Sequence, residues 1–182
     1  MGKKKITPKV KNTEQLENNV VLKFMKKGKV LKTESTHNKA TYNLLEGICR
    51  FLGHQIEVGT NSVLATNWVP NYLGIGNAAN TNPDVSNIKL DSELPIGSRI
   101  RLEPQDVVKQ NDGSYNITYT ALLPYTTTKG YVIREMGLFT TPNINAAKLL
   151  ARIILDNVID YNLPQLVGVD LLVEWTISIG NK

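Results

Sequence analysis

Apolar residues change their rhythm along this chain, and the change divides it. Between residues 40 and 52, Ala40, Leu44, Leu45, Ile48, Phe51 and Leu52 recur at helical spacing and form one apolar stripe. Thr36 or Asn38 would cap that helix, because short polar side chains accept the free amide hydrogens of a first turn. Gly53 stands where helices commonly stop. The pattern predicts a single helix over 38–52. Beyond residue 60 the period falls to two. Val167, Val169, Leu171, Val173, Trp175, Ile177 and Ile179 occupy every second position of the last strand. Such a strand turns one face to a core, which makes Trp175 a structural core residue.

Further strands follow from the same rule. Tyr115 to Leu123 alternates and meets Val107 to Gln110 across Asn111-Asp112-Gly113-Ser114, a strong hairpin signal. Tyr72 to Gly76, Arg99 to Glu103, Tyr131 to Thr140 and Lys148 to Leu155 read as strands. Val20 to Met25 makes a first strand, with Val30-Leu31 beyond the Lys27-Gly28 turn as its partner. A single helix ahead of so many strands favours antiparallel pairing over a parallel α/β sheet, which needs a helix between successive strands. The expected architecture is mainly β, an antiparallel β-sandwich or jelly roll with one N-terminal helix and an extended basic N-terminal arm. The domain division is an arm over 1–33 and a single β-sandwich domain over 34–182, led by the 38–52 helix.

Charge sets the arm apart. The chain has 182 residues and a formal net charge of +5. Residues 1–33 hold ten lysines against two acids, Glu14 and Glu17, a local balance of +8 that leaves −3 for the remainder. The proposed docking lysines are Lys3, Lys4, Lys5, Lys9, Lys11, Lys23, Lys26 and Lys27. A basic arm on a near-neutral body suits an acidic surface, on either a protein or a nucleic acid. Phe24 is the only aromatic before Tyr42, so stacking on bases is not supported, and lysine contacts alone give salt-sensitive, sequence-blind binding. No apolar run approaches the length a membrane helix needs, and the basic start leads into no apolar signal core. Cys49 is the single cysteine, which excludes an internal disulfide and a multi-cysteine zinc site and fits a reduced compartment.

Catalytic constellations are weak. Gly74-Ile75-Gly76-Asn77-Ala78-Ala79 has the loose form of a dinucleotide fingerprint, but the Asn-, Thr- and Pro-rich residues after it open no helix to face a pyrophosphate. Gly74 and Gly76 read instead as positions of close backbone approach in a sheet. His37 and His54 flank the expected helix too far apart to share a metal. Cys49 beside the stripe reads as a packed small residue. Asp91 and Glu93 share one side of an extended segment and read as strand-edge polar groups before acid–base catalysts. Glu135 in an otherwise apolar strand must be exposed, paired or hydrogen-bonded, with Arg99 or Arg101 as candidate partners, and a structural role is favoured. Asn116-Ile117-Thr118 is a chance glycosylation sequon in a chain without a signal peptide. The expectation is therefore a non-enzymatic protein with no catalytic, metal or cofactor residues.

Three stretches taken together carry a resemblance. Asn71-Tyr72-Leu73-Gly74-Ile75-Gly76-Asn77 precedes a Thr/Asn/Pro/Asp loop and Leu90-Asp91-Ser92-Glu93-Leu94. Ile133-Arg134-Glu135-Met136-Gly137-Leu138-Phe139 follows, and then Leu171-Leu172-Val173-Glu174-Trp175-Thr176-Ile177. This order, over about residues 70–180, resembles β-rich structural proteins of tailed-bacteriophage virions, among them tail-fibre, baseplate and capsid-attached fibre components. The Lys/Asn-rich composition is compatible with a crAss-like phage. The resemblance implies a small adaptor, fibre-base or capsid decoration protein that works by assembly. It would pack against copies of itself and neighbouring virion proteins, be made in the host cytoplasm, and be located in the virion. The alternative is a sequence-nonspecific nucleic-acid binder using the lysine-rich arm.

Overall fold

The computed structural model describes residues 15–40, 44, 68–78, 86–96, 99–104, 106–143 and 146–180. The chain is mainly β, built of antiparallel sheets with no closed barrel. The strands in chain order are β1 (Gln15–Lys26), β2 (Lys29–Ala40), β3 (Tyr72–Gly76), β4 (Ile100–Arg101) and β5 (Glu103–Pro104). They continue with β6 (Val108–Lys109), β7 (Tyr115–Leu123), β8 (Val132–Phe139), β9 (Leu149–Asp160) and β10 (Asp170–Gly180). A single turn of helix, α1 (Tyr125–Thr128), joins β7 to β8, and a 3₁₀ turn over Pro164–Leu166 precedes β10.

The strand order is β4-β3-β8-β9-β2-β1-β10-β7-β5, with β6 also on β7. Two halves can be distinguished. The first half consists of β2, β1, β10 and β7 with its short edge strands. The second consists of β4, β3, β8 and β9. Strand β2 belongs to both, pairing with β1 as far as Asn38↔Asn18 and with β9 through Lys39↔Arg152 and Ala40↔Ala151.

The alternation seen in the sequence supplies the core of the first half. Val20, Leu22 and Phe24 of β1, Tyr119, Ala121 and Leu123 of β7, and Leu171, Val173, Trp175 and Ile177 of β10 are all buried. Register aligns them into rows, such as Val20↔Trp175↔Tyr119. Leu73 and Ile75 of β3, Met136 and Leu138 of β8, and Ile153 and Leu155 of β9 belong to the same cluster. One apolar core therefore receives the inner faces of both halves.

Two expectations change. Residues 15–33 do not behave as an arm. β1 lies inside the sheet, hydrogen-bonded to β2 on one side and β10 on the other. Lysine counting hid this, because Lys23 and its like occupy the outward positions while Val20, Leu22 and Phe24 point inward. The boundary at residue 33 falls in the middle of β2. Lys3, Lys4, Lys5, Lys9 and Lys11 lie outside the described residues. The second change concerns the helix start. Thr36 and Asn38 are strand residues of β2, so they do not cap a helix. Leu44 is helical and buried, at 6% exposure, against the main core. The rest of the expected helix lies outside the described residues.

The turns follow local chemistry. Lys27 (φ 51°) and Gly28 (φ 73°) make the tight link between β1 and β2. Gly113 (φ 86°) closes the β6–β7 hairpin at the Asp-Gly step, where a positive φ favours glycine.

Candidate functional site: a buried clamp and two exposed faces

The stretches 71–77, 90–94 and 133–139 that carried the resemblance meet on the outer face of the second half, whereas 171–177 lies in β10 of the first. Strand alternation places Gly74 and Gly76 of β3, Glu135, Gly137 and Phe139 of β8, and Arg152 of β9 on that face. The pairing Gly76↔Glu135, Gly74↔Gly137 and Gly137↔Arg152 brings them side by side. Segment 87–93 lies flat on top. It is tied to β3 by the Gly76↔Glu93 bridge and by the Asn77 and Leu94 amides, which donate to Ser92 O (2.8 Å) and Ile75 O (2.9 Å).

The glycines make this approach possible. A Cβ at Gly76 would collide with the Glu135 carboxylate and lie 2.7 Å from the Ser92 carbonyl oxygen. A Cβ at Gly74 would stand 2.7 Å from the Phe139 ring. The Gly-x-Gly pair is thus a seat for a crossing segment at the C-terminal end of β3.

Glu135 and Arg152 lock the segment in place. Glu135 is wholly buried and Arg152 is 1% exposed. Glu135 Oε1 accepts from the Ser92 amide (2.8 Å), and Oε2 accepts from the Asp91 amide (3.2 Å) and Arg152 Nε (2.9 Å). Arg152 also donates through Nη2 to Asp91 Oδ2 (2.7 Å) and through Nη1 to Asn87 Oδ1 (3.0 Å). A second buried guanidinium stands nearby. Arg99 donates from Nε and Nη2 to the two oxygens of Glu93 (2.7 and 2.9 Å) and from Nη1 to Thr141 O (3.0 Å). Its guanidinium carbon sits 3.4 Å from the Phe139 ring centroid, a cation–π contact.

Glu135 therefore pairs with Arg152, and not with Arg99 or Arg101. Sequence reasoning missed Arg152 because nothing in the apolar run Leu149 to Leu155 says which face each residue takes. The only signal was that Arg152 is the single charge in that run, and a lone charge in a buried strand needs a partner. Chemically the clamp is saturated. Both Glu135 oxygens already accept hydrogen bonds from two amides and a guanidinium, which leaves no access for a substrate proton. Its capacity is to hold a loop in one place, since charge-assisted hydrogen bonds, here joined by the bidentate Arg99–Glu93 pair, fix geometry.

The outer face of the first half is polar and open to solvent. Thr118 and Thr176 share a hydrogen bond of 2.8 Å across β7 and β10, and Lys23 donates to Glu174 at 2.6 Å across β1 and β10. A groove of about 500 Å³ runs along this face, with Thr118, Thr120, Glu174 and Thr176 as floor and Asp106, Val108 and Gln110 as wall. Asn116 lines it too, and its buried Oδ1 has no hydrogen-bond partner among the described residues.

The third feature is the β1–β2 hairpin tip. Lys26, Lys27, Lys29 and Lys32 cluster there with no acid between them, beside Val30 (52% exposed) and Leu31 (59%). Lys26 Nζ reaches Val167 O at 3.1 Å, and Lys32 ion-pairs with Glu34. Of the proposed docking lysines, Lys26 and Lys27 lie at the tip, whereas Lys23 lies further along β1 and faces Glu174.

His37 is an exposed strand residue opposite Asn19, and Cys49 and His54 lie outside the described residues. Among the described residues no three His, Cys, Asp or Glu side chains gather as a metal site, and no helix is long and apolar enough to cross a membrane. No protein-family model, curated protein or solved structure matches this chain.

Proposed function

We propose that this chain is a non-enzymatic structural component of a tailed-bacteriophage virion, a small tail or baseplate adaptor, fibre-base or capsid decoration protein. The two halves pack as a β-sandwich, and the chain assembles with copies of itself and with neighbouring virion proteins. One observation carries the reading. Five of the residues behind the resemblance, Gly74, Gly76, Glu135, Gly137 and Phe139, form an interlock in which the Glu135 carboxylate is spent on the Asp91 and Ser92 amides and Arg152. Motifs of that kind serve shape, which is what an assembly protein needs, and leave binding to exposed faces. The lysine-rich tip supplies such a face for an acidic neighbour.

The test is co-purification. The protein should band with virions in a density gradient and remain after nuclease treatment and a high-salt wash. Its absence from the particles would overturn the virion reading. The second reading, sequence-blind nucleic-acid binding through the same lysines, rests on the excess of lysines at the tip. It expects loss from particles under nuclease, and elution from heparin that moves steeply with salt.

A further inference from the structure

Most acidic side chains among the described residues already have partners. Ion pairs occupy Glu34, Asp91, Glu93, Glu135 and Glu174. Asp112 and Asp160 accept hydrogen bonds within their own turns, and Asp170 accepts from the Tyr125 amide. Glu103 and Asp106 differ. Both are exposed, and neither carboxylate meets a donor. They lie together along the β5–β6 edge. Glu103 stands opposite Thr120, a floor residue of the groove of about 500 Å³, and Asp106 is in the groove wall. Asn116 Oδ1, buried beside that groove, also lacks a donor. This edge is short of cations.

The β1–β2 tip is its converse. Lys26 and Lys32 are engaged by Val167 O and Glu34, but Lys27 and Lys29 are exposed on either side of Gly28 and have no partner. Val30 and Leu31 beside them are more than half exposed.

We propose that the lysine tip of one copy docks on the Glu103–Asp106 edge and groove of a second copy. The choice of occupant comes from charge and chemistry. Each ammonium brings three donors and no acceptor, and the groove offers carboxylates and threonine hydroxyls to receive them. Val30 and Leu31 would cover Val107 and Val108, which are 61% and 53% exposed on that edge. In one copy, β10 and β7 stand between the β1–β2 hairpin and the β5–β6 edge, so a tip cannot fill its own groove. The contact is therefore heterologous. Each copy gives its tip to one neighbour and its groove to another, which builds a ring or a filament.

This inference deepens the self-assembly part of the proposed function and rests on that part alone. The test is charge reversal with complementation, read by sedimentation velocity on the full chain. The parent should form species larger than a dimer, and fewer of them as salt rises, because exposed charges are screened. Lys27→Glu with Lys29→Glu blocks the tip, and Glu103→Lys with Asp106→Lys blocks the groove. Each double variant alone should associate on the order of a hundredfold more weakly, since like charges then face each other. Mixed in equal amounts, the two should recover a dimer and nothing larger. The groove-blocked copy keeps its tip, and the tip-blocked copy keeps its groove. All four side chains are exposed, so the fold should survive, and circular dichroism checks it. Where a reversal fails to fold, Lys29→Gln and Asp106→Asn carry the test, each weakening association about tenfold.

Two kinds of result would overturn the inference, and they are distinguishable. If the parent associates and the double variants do so equally, or their mixture stays monomeric or grows past a dimer, association uses another surface and only the tip–groove contact fails. If the parent stays monomeric at every concentration, the self-assembly reading fails with it.

Discussion

The two halves of the sheet bury themselves in different ways. In the first half each strand is half wet. β10 runs with Leu171, Val173, Trp175 and Ile177 inward and Glu174 and Thr176 on the solvated face. In the second half β8 is covered on both faces. β8 is buried continuously from Glu135 to Phe139, with the shared core beneath and segment 87–93 above. Its ladder with β9 breaks register twice, between Ile133 and Glu135 and between Leu138 and Phe139. The first half buries apolar side chains and leaves its ions, such as Lys23 and Glu174, partly exposed on the wet face. The second must also compensate buried charge, which it does with Glu135, Arg152, Arg99 and Glu93. A wet face tolerates change, while a covered face that holds ions does not.

Substitutions can break this contrast, and the largest effects should come from the centre of each half. Trp175→Ala removes a wholly buried side chain from the first half and should cost about 3–5 kcal/mol, measured by chemical denaturation. A variant melting within a degree or two of the parent would mean that the apolar row is not a core. Glu135→Ala leaves Arg152 short of its most buried partner and should also cost about 3–5 kcal/mol. Replacing both charges, Glu135→Leu with Arg152→Met, should recover most of that loss yet free segment 87–93. Amide hydrogen exchange at Asp91 and Ser92 would then rise while the β7 and β10 amides stay protected. If the segment stays protected, the clamp is not what holds it.

Alkaline titration tests whether the halves open together. Burial pushes the phenols of Tyr119, on β7, and Tyr161, just past β9, up from 10.0 to about 12. The folded state then keeps protons that the unfolded chain releases. The associated stability is fully present below pH 10 and is lost as pH rises toward 12. Each tyrosine should contribute about 1.4 kcal/mol of loss per pH unit in that window. Ionisation of Tyr119 and Tyr161, followed residue by residue by NMR, should coincide with loss of structure in a single step. Two separated steps would show that the halves unfold independently.

Smaller effects sharpen the comparison. Gly76→Ala forces a methyl against Glu135 and the Ser92 carbonyl and should cost about 1–3 kcal/mol by thermal melting. Lys23→Met breaks the half-exposed pair with Glu174 on the wet face and should cost less than about 1 kcal/mol. A larger loss there would mean that the outer face of the first half is covered by something in solution.

The sequence by itself determined the β class, the spans of β3 and β7, most of β8, and the inward set of β10 from Val169 to Ile177, because a half-wet strand writes its alternation into its residues; Val167, in the turn before the strand, and Ile179, near its end, are exposed instead. It determined that Glu135 must be exposed, paired or hydrogen-bonded, since an ion in an apolar run is costly to bury alone. Only the tertiary structure decided which partner. Arg152 is 17 residues away along the chain and is brought over by antiparallel pairing, which leaves no local mark. The structure also decided the place of β1. Its lysines set the local net charge, and that charge reads the same on a loose arm as on the outer face of a central strand. The difference lies in Val20, Leu22 and Phe24, whose burial exists only because β10 and β2 stand on either side of them.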